Sequence, residues 1–186
     1  MLVRSLLVTL AIAASALLPA PGAAVQTPPR LIDQTGKSFT FESLRGRPLI
    51  VTFVSAHCTD ACPLVNGQFA EAARQIANRH LDTRLLTITL DPVNDPPSLM
   101  AKLARRFDAN PRYWLVAGGR PAEVDAILNE FGVVAKLGKS GFREQHTTFV
   151  YILGPSGRLQ NTILASTGLT GDIVDAARSL QRKTGE

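Results

Sequence analysis

Six consecutive residues, Leu49 to Val54 (LIVTFV), are β-branched, aliphatic or aromatic with one threonine and no charge, and they run into both cysteines of the chain, Cys58 and Cys62. An unbroken run of this kind is the signature of a strand buried on both faces in the middle of a sheet. From Pro63 the period changes: Val65, Phe69, Ala72 or Ala73 and Ile76 recur at steps of three and four, which predicts an amphipathic helix over Pro63 to Arg79. Pro63 suits a first helical turn, where its missing N–H has no intrahelical partner. The cysteines therefore stand at a strand-to-helix junction, and everything else must build around that unit.

The same alternation continues. Arg84 to Leu90 reads as a second buried strand, Ser98 to Phe107 as a helix with Leu99, Leu103 and Phe107 on one face, and Tyr113 to Ala117 as a third strand. Pro121 to Phe131 carries a helical stripe of Val124, Ile127, Leu128 and Phe131. Gly132 to Gln145 shows little periodicity and reads as a long connection. It leads to His146 and a strand over Thr147 to Leu153. Gly154 to Gly157 turns a hairpin into Arg158 to Ala165, and a terminal helix runs from Gly171-Asp172 to about Arg182. Before all this, Leu31 to Thr40 reads as a short hairpin turned at Gly36. Alternating strands and helices closed by a hairpin predict an α/β domain: a thioredoxin-like fold with a mixed central sheet flanked by helices and an N-terminal hairpin. In open α/β sheets reactive groups gather at the carboxyl ends of the strands, where the cysteines stand.

The first residues differ in kind. Arg4 precedes an apolar stretch from Ser5 to Leu18, and small residues follow to Ala24. That is the pattern of an export signal with cleavage after Ala24; the alternative is an uncleaved membrane anchor, although its strongly apolar part is shorter than the roughly 20 residues a spanning helix needs. The expected organisation is a signal peptide or anchor over 1–24, a linker over 25–29, the folded domain over 30–183 and a tail over 184–186. Either form of leader puts the domain outside the cytoplasm, in a periplasm or its equivalent, where a cysteine pair can be oxidised. A net charge of +5 invites the thought of nucleic acid, yet the basic residues never run longer than two and no aromatics interleave with them. A solvated basic surface, with no nucleic acid partner, is the reading.

A sulfur at a helix start is favoured as thiolate by the unpaired N–H groups and the positive end of the helix dipole. Redox exchange and metal binding both need thiolates. The C-x-x-x-C spacing is wider than the usual C-x-x-C of dithiol oxidoreductases and suits two sulfurs converging on one ion, while a structural disulfide would close so short a loop that it constrains the unfolded chain little. Two thiolates and one imidazole make a soft three-coordinate set appropriate to Cu(I), or to Zn(II) with a fourth ligand. His80 would lie about 25 Å away at the far end of the helix. His57, beside Cys58, reads as a half-exposed loop residue, with a ligand or proton-donor role as the alternative. His146, at the threshold of a strand after a long connection, is the candidate third ligand.

Three motifs carry a resemblance: C-T-D-A-C-P at Cys58 to Pro63, T-L-D-P at Thr89 to Pro92 with Asp95 following, and H-T-T-F-V-Y-I-L-G-P-S-G at His146 to Gly157. Over about Gln26 to Lys183 the chain resembles the Sco (SenC-like) family, exported or membrane-tethered copper proteins of thioredoxin fold. The resemblance implies a metal set of Cys58, Cys62 and His146, with Asp91 supporting, holding copper as Cu(I), with Cu(II) as the alternative. It implies a metallochaperone, not an enzyme, serving the dinuclear copper centre of cytochrome c oxidase; the partner would be that enzyme's copper-bearing subunit or another copper or thiol protein. The alternative is a thiol-disulfide oxidoreductase with Cys58 and Cys62 as its catalytic pair. Thr59 stands where many members carry a proline, and Gly154 where they carry an aspartate, which marks a divergent member.

Overall fold

The structure, a computed structural model, describes residues 27–59, 61–144 and 148–184. Its chain runs β1 (Leu31–Asp33), β2 (Ser38–Phe39), a 3-10 turn at Glu42–Leu44, β3 (Leu49–Val54), α1 (Ala61–Asn78), β4 (Arg84–Thr89), α2 (Pro97–Arg106) and β5 (Trp114–Gly118). It continues through α3 (Pro121–Glu130), β6 (Lys136–Leu137), β7 (Arg143–Glu144), β8 (Phe149–Leu153), β9 (Leu159–Leu164) and α4 (Leu169–Thr184). Seven strands form one mixed sheet in the order β2-β1-β5-β4-β3-β8-β9. The apolar run is its interior strand β3, buried throughout, parallel to β4 and antiparallel to β8. The expected N-terminal hairpin is β1–β2, with Gly36 at φ +85 in its turn, a conformation that a side chain disfavours.

Strand alternation divides the core in two. Ile50, Val54, Leu85, Trp114, Val116 and Val150 face a layer made by α1 (Val65, Phe69, Ile76), α2 (Met100, Ala104) and α4 (Ile173, Ala177). Val51, Phe53, Leu86, Ile88 and Tyr151 face α3 (Val124, Ile127, Leu128) and the N-terminal hairpin on the other side. Phe69 and Ile76 are fully buried, and full burial of such a side chain is worth about 1.5–3 kcal/mol, so α1 is pinned firmly under the cysteines. Two polar side chains inside this layer are paired: Trp114 Nε1–H donates to Thr87 Oγ1 at 2.9 Å, and the Thr52 hydroxyl to the Phe149 carbonyl at 3.2 Å.

Three expectations change. Helix α1 begins at Ala61, ahead of Pro63, so Cys62 lies within its first turn. Pro63 is still tolerated because none of the first four N–H groups has an intrahelical acceptor. On α2 the buried pair is Met100 and Ala104, with Leu103 and Phe107 only partly buried beside the core and Leu99 half-exposed. The apolar stripe of that short helix straddles the contact line instead of marking it. Third, the connection before residue 145 contains a small separate sheet, β6–β7, paired Lys136 to Glu144 and Leu137 to Arg143. Strands of two residues show no periodicity, so nothing in the sequence signals them.

Candidate metal and thiol centre

Both parallel strands β3 and β4 end on the same edge of the sheet, and their loops meet there. The β3 loop begins with Ser55, whose carbonyl accepts the Cys58 N–H at 3.3 Å and whose Oγ accepts the His57 N–H at 3.2 Å. This tight turn lifts Cys58 to the start of α1, where its Sγ accepts the Cys62 N–H at 3.3 Å. One of the orphan amides of the helix start is thus satisfied by sulfur. Both cysteines are free; Cys58 is half-buried and Cys62 is 9% exposed. Burial, then the hydrogen bond with Cys58, pushes the Cys62 thiol up to about 12, against a smaller downward pull from the Ser55 backbone. At Cys62, then, loss of water outweighs the helix-start effect that favours thiolate.

The β4 loop supplies carboxylates. Asp91 and Asp95 are buried. Asp95 Oδ2 accepts the Ala56 N–H and the Thr89 hydroxyl, each at 2.9 Å, and Asp95 Oδ1 lies 3.5 Å from His57 Nε2. Burial pushes the Asp95 carboxyl above its ordinary range, while the hydrogen bonds from Ala56 and Thr89 and the neighbouring His57 pull the other way. Asp91 Oδ2 accepts from Asn94 Nδ2 at 2.8 Å and from the Arg143 N–H at 2.9 Å, and the Asp91 N–H donates to Thr89 Oγ1 at 2.9 Å. Asp91, the carboxylate singled out from sequence, therefore ties the β4 loop to the β6–β7 hairpin. Asp95 is the one that reaches the cysteine loop, and its only sequence signal is its place four residues beyond Asp91.

His57 is more than a half-exposed loop residue. Its Nε2 lies 3.3 Å from the Asn94 carbonyl, and its ring stacks on Phe142 with centroids 4.0 Å apart and planes 7° apart. His80 is the left-handed residue that ends α1, at φ 53, with its N–H on the Ala77 carbonyl and the Leu81 N–H on the Ile76 carbonyl. It takes no part in the site. His146 lies outside the described residues, as does Thr147, the first residue of the expected strand. Among the described residues no group of three or more His, Cys, Asp or Glu is disposed to hold a metal ion. Two thiols at a helix start, one accessible and one sheltered, can share a soft ion or close into a disulfide.

A mixed sheet of this order, with a dithiol where a central strand gives way to its helix, is a thioredoxin-like protein. The chain belongs to the SCO1/SenC family, whose family model matches residues 19–181. The structure is similar to that of ScoI of Bradyrhizobium japonicum, solved with copper bound, with a TM-score of 0.69, 29% identity, and coverage of 86% of this chain and 99% of that one. It also matches the fold of BsSco, described as a member of the Sco family of cytochrome c oxidase assembly proteins with a disulfide switch; the TM-score is 0.71, identity 22%, and coverage 84% and 92%. In sequence it is 24% identical over 129 residues to the SCO1 protein homolog of Bacillus subtilis, 68% of this chain and 67% of that protein. The chain spans about two thirds of the length of the relatives it matches in sequence.

Proposed function

We propose that this protein is a copper-binding metallochaperone that holds Cu(I) through Cys58, Cys62 and His146 and serves assembly of the dinuclear copper centre of cytochrome c oxidase. The observation that carries the reading is the pair of free sulfurs at the start of α1, Cys58 Sγ already turned to accept the Cys62 amide, in a fold similar to a ScoI that was solved with copper bound. Two thiolates suit Cu(I). The third ligand is His146: the chain on both sides of it, at Arg143 and at Phe149, is held to the β3–β4 edge by the Asp91 and Thr52 contacts. Loading must expel the proton from Cys62, which burial retains. Copper titration of the reduced protein against a Cu(I) chelator tests the assignment. Wild type should take up one copper and His146→Ala should bind far more weakly; full affinity in that variant sinks the ligand set. Asp91 acts in this reading as a support that fixes the neighbouring loop.

The division of the cysteines favours a second reading, thiol-disulfide exchange, for which the disulfide switch named for BsSco is the analogue. The accessible Cys58 thiolate would attack a partner's disulfide, and Cys62, deprotonated as it reacts, would displace the partner's remaining sulfur from Cys58, leaving the partner dithiol and a Cys58–Cys62 disulfide. Exchange that persists in Cys58→Ser would dispose of it. Both readings set residues 30–183 as the working domain, joined by the 25–29 linker to a leader over 1–24 that exports or tethers it, with 184–186 as a tail. A copper-bearing oxidase subunit, or another copper or thiol protein, is the partner. No helix among the described residues is long and apolar enough to cross a membrane.

A further inference from the structure

The β6–β7 hairpin has no means of standing alone. Its strands are two residues each, both β6 residues are exposed, and Leu137 is 74% exposed; isolated two-stranded hairpins are marginal in water. Two adjacent residues help to fasten it. The Arg143 N–H is bound by Asp91 Oδ2, and the Arg143 guanidinium forms an ion pair with Asp125 on α3, its second nitrogen 3.4 Å from Asp125 Oδ2. The same guanidinium reaches the Leu90 carbonyl at 3.5 Å. Next to it, Phe142 lies flat on His57, the residue before Cys58. Asp125 is rigidly mounted, since its neighbours Val124, Ile127 and Leu128 are packed into the core.

We infer that Arg143 is a positioning residue for the cysteine loop: by tying the hairpin to Asp91 and Asp125 it holds Phe142 against His57 and so keeps residues Ala56 to Cys58 in the turn that aims the sulfur. The coupling runs through a contiguous set of contacts. On one side α3 grips the guanidinium. On the other, Asp95 grips the amide of Ala56, so the loop is held between two carboxylates from outside itself. Arg suits this place because its planar fork can meet a carboxylate with two nitrogens while its main chain binds a second one.

Amide hydrogen exchange on the full chain, reduced and metal-free, tests the inference. Arg143→Ala should raise exchange about tenfold at Leu137 to Arg143 and at Ala56 and Cys58 together, the scale expected for losing one charge-assisted contact. Amides of β3 and α4 should not change. Asp125→Asn should give the same pattern more weakly, and it keeps the question open to an answer if Arg143→Ala does not fold. Arg143→Lys should restore part of the protection. Faster exchange confined to the hairpin, with Ala56 and Cys58 unaltered, overturns the inference, and so does no change in either. For copper the consequence rests on the proposed function: release from Arg143→Ala to a chelator should be about tenfold faster than from wild type. Wild type that takes up no copper would defeat that function while the exchange result still decides the role of Arg143.

Discussion

The loops after β3 and β4 leave neighbouring parallel strands at the same edge of the sheet, and they are built in opposite ways. The β4 loop carries Pro92, Pro96 and Pro97, buries two carboxylates and engages each in hydrogen bonds from other segments. The β3 loop has no proline before Pro63 and leaves one sulfur half-buried. Hard carboxylate oxygens here do structural work, and soft sulfurs are left available for chemistry. A buried carboxylate tied by hydrogen bonds to other segments is a scaffold, whereas a thiol with few bonds can change partners.

The largest effect that tests this contrast comes from removing one group from each loop. Cys58→Ser should abolish tight Cu(I) binding while leaving the fold intact, because the serine oxygen is a poor ligand for a soft ion. Asp91→Asn, by contrast, should weaken copper binding by no more than about 10- to 100-fold, the range for groups that orient ligands without touching the metal. Competition titrations with a Cu(I) chelator measure both. Equal losses would erase the distinction between the loops. Next in size, Asp95→Ala strands the Ala56 N–H and the Thr89 hydroxyl away from water. It should cost about 2–3 kcal/mol, read from urea unfolding of the metal-free protein; a loss near zero would mean that water replaces the carboxylate.

Much of this could be read in advance. LIVTFV announced the interior strand, and the spacing of Val65, Phe69 and Ile76 announced α1, because burial on a central strand or a helix face imposes a period. Cys58 and Cys62 were visible for the same reason: they fall where one period gives way to the other. The β6–β7 hairpin, the His57–Phe142 stack and the reach of Asp95 to Ala56 were not visible. The hairpin strands are too short to show a period, and the other two contacts join residues 39 and 85 positions apart, a meeting that no local pattern encodes. The helix start that favours a thiolate is a local property and legible in sequence, whereas the burial that raises Cys62 is supplied by the whole layer of α1, α4 and the sheet.

Burial raises the pKa of one group on each side of the site, Cys62 at the start of α1 and Asp95 in the β4 loop, and pH separates the two. Cys62 is raised from 9.0 to about 12 in the folded protein. Its stabilising contribution is therefore complete below pH 9 and is lost as pH rises toward 12, because the unfolded thiol ionises first. Reduced wild type should lose about 1.4 kcal/mol per pH unit in that window relative to Cys62→Ala, followed by urea midpoints from pH 8 to 11; parallel curves would show that the thiol is not sheltered. Asp95, also raised by burial, acts at the acidic end. Its contribution is complete below the ordinary carboxylate value and lost as pH rises through its folded value, so wild type should gain on Asp95→Asn as the solution is acidified.

The smallest change is the one that makes the two loops most alike. Thr59 is exposed and its N–H takes part in no hydrogen bond within the described residues, so proline there removes no hydrogen bond among them. Thr59→Pro should stabilise the reduced protein by about 0.4–1 kcal/mol by narrowing the unfolded ensemble, provided the turn holds φ near the proline value. It should also make Cys58 less adjustable, and closing a disulfide across four residues at a helix start requires that adjustment. Slower formation of the Cys58–Cys62 disulfide, with Cu(I) affinity unchanged, would show that looseness in the β3 loop serves exchange and not metal capture. Faster formation would mean that the threonine loop samples open forms that the proline excludes, and that rigidity brings the sulfurs together.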